Sequence, residues 1–213
     1  MCYDELINCC DSLKFLGISI DSKLTWHAHI DSICNRLSKG VGVLNNLQHF
    51  PSHILLMIYN AVILPHLNYC NIAWGNSNNY RMLRLHKLQK KAIRIISKAS
   101  YLAHTEPLFQ RYKTFDVFEL NKYNLAIFMF LCYKGTIPSS LSNNFSTNSD
   151  IHSYYTRQTS NFHIPLVRTN ASQNSVFFKG PIIWNNLQSK LKESPTLNTF
   201  KRRYKNLYFY QFI

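Results

Sequence analysis

Six basic side chains recur at steps of three or four residues in one segment of the chain: Arg81, Arg84, Lys87, Lys91, Arg94 and Lys98. Because successive residues of an α-helix turn by about 100°, this spacing places the six on one strip of a helix surface. Lys90 adds a seventh positive charge nearby, and no acidic residue occurs between Asp31 and Glu106. Like charges on one helix face repel, so the strip needs a counter-charge from outside the helix. Phosphate groups are suited to that role, and a merely solvated face is the alternative.

The net charge of the whole chain also favours a partner that carries phosphate groups. The sequence has 24 Lys and Arg residues against 10 Asp and Glu, a net charge of +14. Residues 1–31 contain five acids and two bases, whereas residues 32–213 contain five acids and 22 bases. Such a field attracts polyanions, either nucleic acid or an anionic membrane surface. We expect nucleic acid, because 13 Tyr and 14 Phe residues offer rings that can stack on bases. A second basic group near the C-terminus supplies further candidate contacts: Lys201, Arg202, Arg203 and Lys205.

Helices are expected to position these groups. Apolar residues at steps of three and four predict a helix of about 20 residues with Thr25 as its N-cap. Gly40 and Gly42 lie inside it and indicate a close helix contact or a local break. Pro51 opens a second helix that runs to about Leu64, where Pro65 ends or kinks it.

Two later helices have clearer boundaries. One spans residues 80–99 and carries the basic strip beside an apolar one. In the other, Asp116 and Glu119 match a capping box at the start, and Gly135 followed by Pro138 matches a helix stop.

The N-terminal residues predict two short strands. Leu6-Ile7 and Phe15 to Ile20 would flank a polar turn at Cys10-Asp11-Ser12. Leu16, Ile18 and Ile20 alternate with two small residues, which predicts one buried face and one face open to close backbone approach. An ordinary edge strand explains the alternation equally well.

These elements predict a mainly α fold. It comprises a short β element, a helical domain, a polar linker and a small irregular α+β module, at residues 1–24, 25–138, 139–161 and 162–213. The linker is inferred from its Ser, Asn and Thr content.

The sequence offers few of the residue combinations that catalysis or metal binding requires. Two-metal catalysis needs paired carboxylates, and the only adjacent acids, Asp4 and Glu5, read as solvated surface. His27 and His29 would diverge by about 200° at a helix start. Neither a nucleophile elbow nor a glycine-rich phosphate loop is found. We therefore expect no catalytic residue, metal site or cofactor in this chain.

The compartment is predicted from cysteine usage and hydropathy. The six cysteines form no Cys-x-x-Cys pair and no secretion signal precedes them, so we expect reduced thiols in an intracellular, nuclear or cytoplasmic protein that is not secreted. The most apolar stretch, Ile54 to Trp74, contains proline and several polar residues, and predicts buried helices rather than a membrane span.

Short motifs also occur in a fixed order along nearly the whole chain. The first half contains Phe15-Leu16-Gly17, Trp26-His27-x-His29-Ile30, Leu64-Pro65-His66-Leu67-x-Tyr69, Trp74-Gly75 and Leu85-x-x-Leu88-Gln89-x-x-Ala92-x-Arg94. The second half contains Pro107-Leu108-Phe109, Phe128-Met129, Arg168-Thr169, Trp184-Asn185 and Phe200-Lys201. This series resembles the C-terminal part of reverse transcriptases of non-LTR (LINE-type) retrotransposons, notably jockey- and CR1-like elements. Two positions depart from the family pattern: Cys70 stands where glycine is common, and Gln188 where proline is common.

The resemblance implies a primer grip followed by a helical thumb. Phe15, Leu16 and Gly17 would position the primer strand, and the strip from Arg81 to Lys98 would lie along a template–primer duplex or the element's RNA. The catalytic palm would precede residue 1, so full-length relatives would need Mg²⁺ there and this chain would be inactive alone. The implied partners are RNA, DNA or an RNA–DNA hybrid, together with the rest of the polymerase.

A rival interpretation belongs to another class. The same helical scaffold could be a host-retained or decayed protein that binds structured RNA or a protein partner. The sequence leaves this choice and the oligomeric state open.

Overall fold

The computed structural model describes residues 10–151 and 159–210. Its architecture is mainly helical with one antiparallel two-stranded hairpin at the start, which confirms the predicted fold class. The elements of the first half are β1 (Ser12–Phe15), β2 (Ile18–Asp21), α1 (His27–Asn46), α2 (Ser52–Val62), α3 (Leu64–Asn68), α4 (Asn71–Trp74), α5 (Asn79–Ser97) and α6 (Glu106–Arg111). Those of the second half are α7 (Val117–Tyr133), α8 (Ser139–Ser142), α9 (Asn148–Ile151), α10 (Asn170–Gln173), α11 (Val176–Asn185), α12 (Ser189–Lys192) and α13 (Leu197–Tyr210).

The hairpin turns at Leu16 and Gly17, not at residues 10–12. Phe15 pairs with Ile18, and the two loop residues have φ angles of 46° and 83°. Positive φ at both loop residues matches the right-handed twist of a hairpin, and glycine adopts it without strain. The predicted turn and the predicted strand through residues 15–20 were therefore wrong, and Leu16 is 73% exposed rather than buried. The other predicted strand, at Leu6-Ile7, lies outside the described residues.

A single carboxylate joins the hairpin to α1. Asp21 accepts hydrogen bonds from the backbone N–H groups of Thr25 at 2.9 Å and Trp26 at 2.7 Å, and from the Thr25 hydroxyl at 3.1 Å. The helix begins at His27, and Trp26, with φ 62°, occupies the N-cap position without a side-chain cap. The prediction of Thr25 as N-cap was therefore wrong, because Thr25 precedes the N-cap position and its N–H and hydroxyl groups donate to Asp21 instead.

Replacing Asp21 with alanine is expected to lower the free energy of unfolding by about 1–2 kcal/mol at pH 7. Burial raises the pKa of Asp21, but the hydrogen bonds from Thr25 and Trp26 outweigh it and hold the pKa below its ordinary value of 3.8. The carboxylate therefore stabilises the fold above pH 4, and this contribution is lost as the pH falls through the lowered pKa. Urea unfolding at pH 7 and near pH 2.5 should show a difference between the two proteins at pH 7 that shrinks in acid. Asp11→Ala, at an exposed position of the same hairpin, is the matched control. An equal loss in the control, or a loss independent of pH, would contradict the role of Asp21.

The first long helix has the predicted length of 20 residues and a close contact at one of its glycines. A Cβ atom on Gly40 would lie 2.8 Å from Cγ1 of Ile63, whereas a Cβ atom on Gly42 would meet nothing within 4 Å. Gly40 therefore lets α1 approach the end of α2 closely. The predicted effect of Pro65 is also observed, because the helical path breaks at Ile63, between α2 and α3.

A central helix, α7, contacts elements from both halves of the chain. It packs on α3, α4 and α5, and also on α11 and α13. Phe130 of α7 stacks on Phe200 of α13, with 4.7 Å between ring centroids, and Trp184 of α11 lies 6.4 Å from each of these rings. One buried cluster therefore runs from α1 to α13.

The ends of α7 match their predicted signals. The Asp116 carboxylate accepts hydrogen bonds from the N–H groups of Phe118 and Glu119, at 2.8 and 3.0 Å. The Glu119 carboxylate accepts a hydrogen bond from Lys122, so the reciprocal half of the predicted capping box is replaced by an ion pair. At the other end Gly135 has φ 65° and closes the helix.

The segment predicted as a linker contains an aromatic anchor. Phe145 lies between α8 and α9, and its ring centroid is 5.9 Å from that of Phe128, 6.1 Å from that of Phe162 and 5.4 Å from that of Phe177. The division into four domains stays a prediction.

Candidate nucleic-acid interface

The basic helix α5 is amphipathic, as its spacing predicted. Its buried side is formed by Met82, Leu85, Gln89, Ala92, Ile93 and Ile96. Gln89 is anchored on that side, because its Nε2 donates to the Tyr59 hydroxyl at 2.8 Å and to the Phe115 carbonyl at 2.9 Å. Asn78 caps the helix by accepting a hydrogen bond from the N–H of Tyr80. The orientation of α5 is therefore set by its core side, which leaves the basic side facing outward.

Two of the six predicted bases already have partners in the chain. Arg84 forms an ion pair with Asp31 of α1, which supplies the counter-charge that α5 lacks. Arg94 is half-buried, and its Nε donates to the Ala103 carbonyl at 3.0 Å. Both side chains therefore help to hold α5 and the loop after it.

The other four bases lie on the surface. Lys87, Lys91 and Lys98 are exposed, and Arg81 is half-buried. None of the three lysine side chains makes an ion pair or hydrogen bond within residues 10–151 and 159–210. We call Lys87, Lys91 and Lys98 the free lysines. No described carboxylate forms an ion pair with them, so their positive charges are available to attract anions.

A cleft of about 520 Å³ lies where α5 ends beside the end of α1. Lys91, Arg94 and Lys98 line one side of it, and Gln48 and His49 line the other. Tyr101 also lines the cleft, is 80% exposed, and has its ring centroid 5.9 Å from the Arg94 guanidinium carbon. An exposed ring beside cations can stack on a base while the cations bind phosphates.

Sequence reasoning missed Tyr101 and His49 as members of this cleft. The only signal for Tyr101 was an aromatic residue three positions after the last base of the strip. For His49 there was no signal, because the end of α1 meets the end of α5 only in the folded chain.

Replacing Asp31 with alanine is expected to strengthen nucleic-acid binding roughly five-fold at about 0.1 M salt, because Arg84 becomes available for one further phosphate contact. The stability cost should stay below about 1 kcal/mol, since both partners of this ion pair are exposed. Fluorescence anisotropy with a labelled RNA–DNA hybrid measures the affinity. Glu193→Ala, which raises the net charge equally at another exposed position, should change it little. Equal gains in the two variants would indicate a general charge effect instead.

The predicted grip residues form the tip of the hairpin. Phe15 and Leu16 are exposed, and the Leu16 carbonyl accepts a hydrogen bond of 2.6 Å from the Tyr69 hydroxyl. Tyr69 follows α3, so the tip is tied to the helical part of the chain. Whether these residues contact a primer stays a prediction.

The C-terminal bases lie on α13, which packs on α7. Arg202 is exposed, and Arg203 donates to the Lys190 carbonyl at 2.8 Å and to the Ser194 hydroxyl at 3.3 Å. Lys201 and Lys205 line a second cavity, of about 540 Å³, together with Lys113. Five of the ten predicted bases therefore line one of two cavities, three beside α5 and two beside α13.

The two histidines near the start of α1 lie in different surroundings. His27 is exposed, whereas His29 is buried with its ring centroid 5.7 Å from that of Trp74, and its Nδ1 accepts a long hydrogen bond of 3.4 Å from the Ser19 N–H. Burial and the nearby Arg36 charge lower the pKa of His29.

Within the described ranges, no three His, Cys, Asp or Glu side chains come together as potential metal ligands. Among the described helices, none has the length and apolarity needed to cross a bilayer.

Comparison with known proteins gives one informative similarity. Over 119 residues the chain is 26% identical to a Drosophila melanogaster protein described as "Probable RNA-directed DNA polymerase from transposon X-element". The match covers 54% of this chain but only 13% of that protein. No family model and no solved structure matches the chain. The similarity supports a reverse-transcriptase-related origin for this region.

Proposed function

We propose that this chain is a nucleic-acid-binding segment of a transposon reverse transcriptase, and that it grips phosphates through the outer side of α5. The observation that carries the proposal is the set of free lysines, which follow one side of α5 without any described acidic partner and end at a cleft with an exposed Tyr101. The distant relative named as an RNA-directed DNA polymerase makes RNA, DNA or their hybrid the natural ligand.

Within this proposal the chain corresponds to the thumb and the region after it. The hairpin tip at Phe15, Leu16 and Gly17 would lie near the primer strand, and the bases of α13 would contact more distant phosphates. The chemistry of polymerisation, with its Mg²⁺ ions, would belong to a separate palm. Its own contribution is to hold the duplex, because lysine contacts to phosphate give affinity without reading sequence.

The salt dependence of binding tests this function. The logarithm of the association constant for an RNA–DNA hybrid should fall linearly with the logarithm of salt concentration. A slope of about 0.9 is expected for each phosphate neutralised on a duplex, and about 0.7 on a single strand. Binding that does not change with salt, or no binding at 50 mM salt, would contradict the proposal. A protein partner retained at high salt would instead favour the interaction-protein interpretation.

A further inference from the structure

A cavity of about 740 Å³ lies between the turn before α5, the first half of α7, and α11. We call it the seam cavity, because α11 closes it against the helices of the first half. Its size falls within the usual range for small-molecule sites, about 300–1,000 Å³. The side chains that matter most for its chemistry are Asn76, Ser77, Phe118, Asn174, Lys179 and Ile182.

Two polar side chains of the seam cavity lack partners. The Ser77 side chain is more than nine-tenths buried, and its hydroxyl has no hydrogen-bond partner among the described residues. Asn76 is half-buried, but its Nδ2 group is buried and also has no hydrogen-bond partner among the described residues. A buried polar group without a partner costs about 1–3 kcal/mol. Since both residues line the cavity, a ligand there could supply the missing hydrogen bonds after small side-chain rotations.

The charges around the seam cavity select the kind of ligand. No carboxylate lines it, so a metal ion or a cationic ligand is disfavoured. Of its two lysines, Lys122 already donates to Glu119, at 2.6 Å. Lys179 is half-buried and makes no ion pair or hydrogen bond within the part of the chain that the structure describes. An anionic group beside Lys179 would therefore be stabilised.

The remaining walls combine carboxamides with apolar side chains. Asn174 and Asn186 line the α10–α11 side, and Met82, Phe118 and Ile182 provide apolar surface. Carboxamides can donate and accept at once, which lets them pair with the edge of a nucleobase, and apolar walls suit its flat faces.

The floor of the seam cavity is rigid. Asn121 donates to the side chain and backbone oxygens of Asn71, at 3.0 and 3.2 Å, and both residues are buried. Gly75 packs directly on this pair. The cavity is therefore preformed by hydrogen bonds that do not depend on a ligand.

We propose that the seam cavity binds a single unpaired nucleotide, with the base against the carboxamides and apolar walls and the phosphate beside Lys179. The choice of a nucleotide rests in part on the proposed function, but the site is separate from the basic side of α5. The nucleotide is either free or an unpaired residue of a bound strand.

Isothermal titration calorimetry with the four ribonucleoside monophosphates, the four nucleosides and inorganic phosphate tests the proposal. At least one monophosphate should bind, and inorganic phosphate should bind at least ten-fold more weakly. Lys179→Ala should weaken the monophosphate about ten-fold and leave the nucleoside unchanged. Asn174→Trp, which fills the cavity, should abolish both. Lys190→Ala, an exposed lysine outside this cavity, should alter neither.

Ser77→Ala gives a second signature that does not depend on Lys179. Because the hydroxyl lacks a partner, its removal should not lower the melting temperature, yet it should weaken nucleotide binding several-fold. Loss of nucleotide binding together with a lower melting temperature would overturn the assignment of Ser77 as a ligand contact.

The outcomes also separate this proposal from the function proposed above. Charge reversal of the free lysines should leave mononucleotide binding intact, so a loss there would overturn the idea of a separate site. Absence of binding by every nucleotide, or equal binding of inorganic phosphate, would overturn the nucleotide assignment even if α5 binds duplex. Mononucleotide binding without duplex binding would support the seam site and contradict the proposed duplex binding by α5.

Displacement of the mononucleotide by a single-stranded oligonucleotide would identify a strand as the source, and no displacement would identify a free nucleotide.

Discussion

Replacing Lys87, Lys91 and Lys98 together with glutamate is expected to lower the affinity for an RNA–DNA hybrid at least about 100-fold at 0.1 M salt. Each lysine that contacts a phosphate releases counterions, so the loss of three contacts should reduce the log–log salt slope by about 2.7. The three side chains are exposed and have no described partner, so the fold should be retained. Fluorescence anisotropy over 50–300 mM salt measures both quantities, and circular dichroism checks the fold.

The matched control reverses three other exposed lysines: Lys14, Lys39 and Lys190. It changes the net charge by the same amount, so it accounts for the general field of the protein. A similar loss in both triple variants would show that no particular surface is used, and an unchanged slope in the first would contradict the role of α5. Arg84 and Arg94 are left out, because their bonds to Asp31 and Ala103 would confound binding with stability.

Replacing Gly75 with alanine is expected to lower the free energy of unfolding by about 4 kcal/mol. The added Cβ would lie 2.4 Å from Nδ2 of Asn121 and 2.5 Å from the Asn71 carbonyl oxygen. Overpacking costs about 1–3 kcal/mol. Displacing Asn121 would also leave buried amide groups without partners, at about 1–3 kcal/mol more. Urea unfolding at pH 7 measures the loss, which would be a large share of a typical domain stability of about 5–15 kcal/mol.

Gly42→Ala is the control for this substitution. Gly42 lies inside α1 with no atom within 4 Å of the added Cβ, so alanine there should stabilise the protein by about 0.5–1 kcal/mol. Opposite signs for the two variants are the expected result. Similar small effects in both would mean that the Asn71–Asn121 pair adapts to the extra methyl group.

Local signals predicted the helices that carry the basic strip and the core. The spacing of Leu85, Ala92 and Ile96 set the buried side of α5, and the predicted bounds at residues 80–99 differ from the observed ones by one or two residues. Asp116 and Gly135 marked the ends of α7, because a capping carboxylate and a left-handed glycine act on their own few neighbours.

Features that depend on unusual backbone angles were missed. The hairpin turns at Leu16 because a leucine there adopts positive φ beside Gly17, and alternation alone gave no sign of it. Cys70 adopts φ 48°, a conformation that costs a residue other than glycine about 1–2 kcal/mol. The glycine common at this position in the resembling family therefore has a conformational explanation, even though this chain uses cysteine.

The candidate site was only partly predictable because its partners lie far apart in the sequence. Asp31 and Arg84 are 53 residues apart, and no periodicity connects them. Likewise, the seam cavity needs residues from α7 and from α11, whose proximity follows from the aromatic packing of Phe130 against Trp184. The sequence was enough to locate the basic side chains, but only the folded structure shows which of them have a partner within the chain.

Helix α7 also determines how this protein can be cut into smaller pieces. It contacts α4 and α5 from the first half of the chain and α11 and α13 from the second half, and its Leu125, Met129 and Phe130 are buried. A fragment that stops after Gly135 would lose α11 and α13 and expose apolar side chains such as Met129 and Phe130, and exposed apolar patches cause aggregation. Expression trials should therefore keep α13 with the basic helix, and a shorter piece would need polar substitutions on the uncovered side of α7.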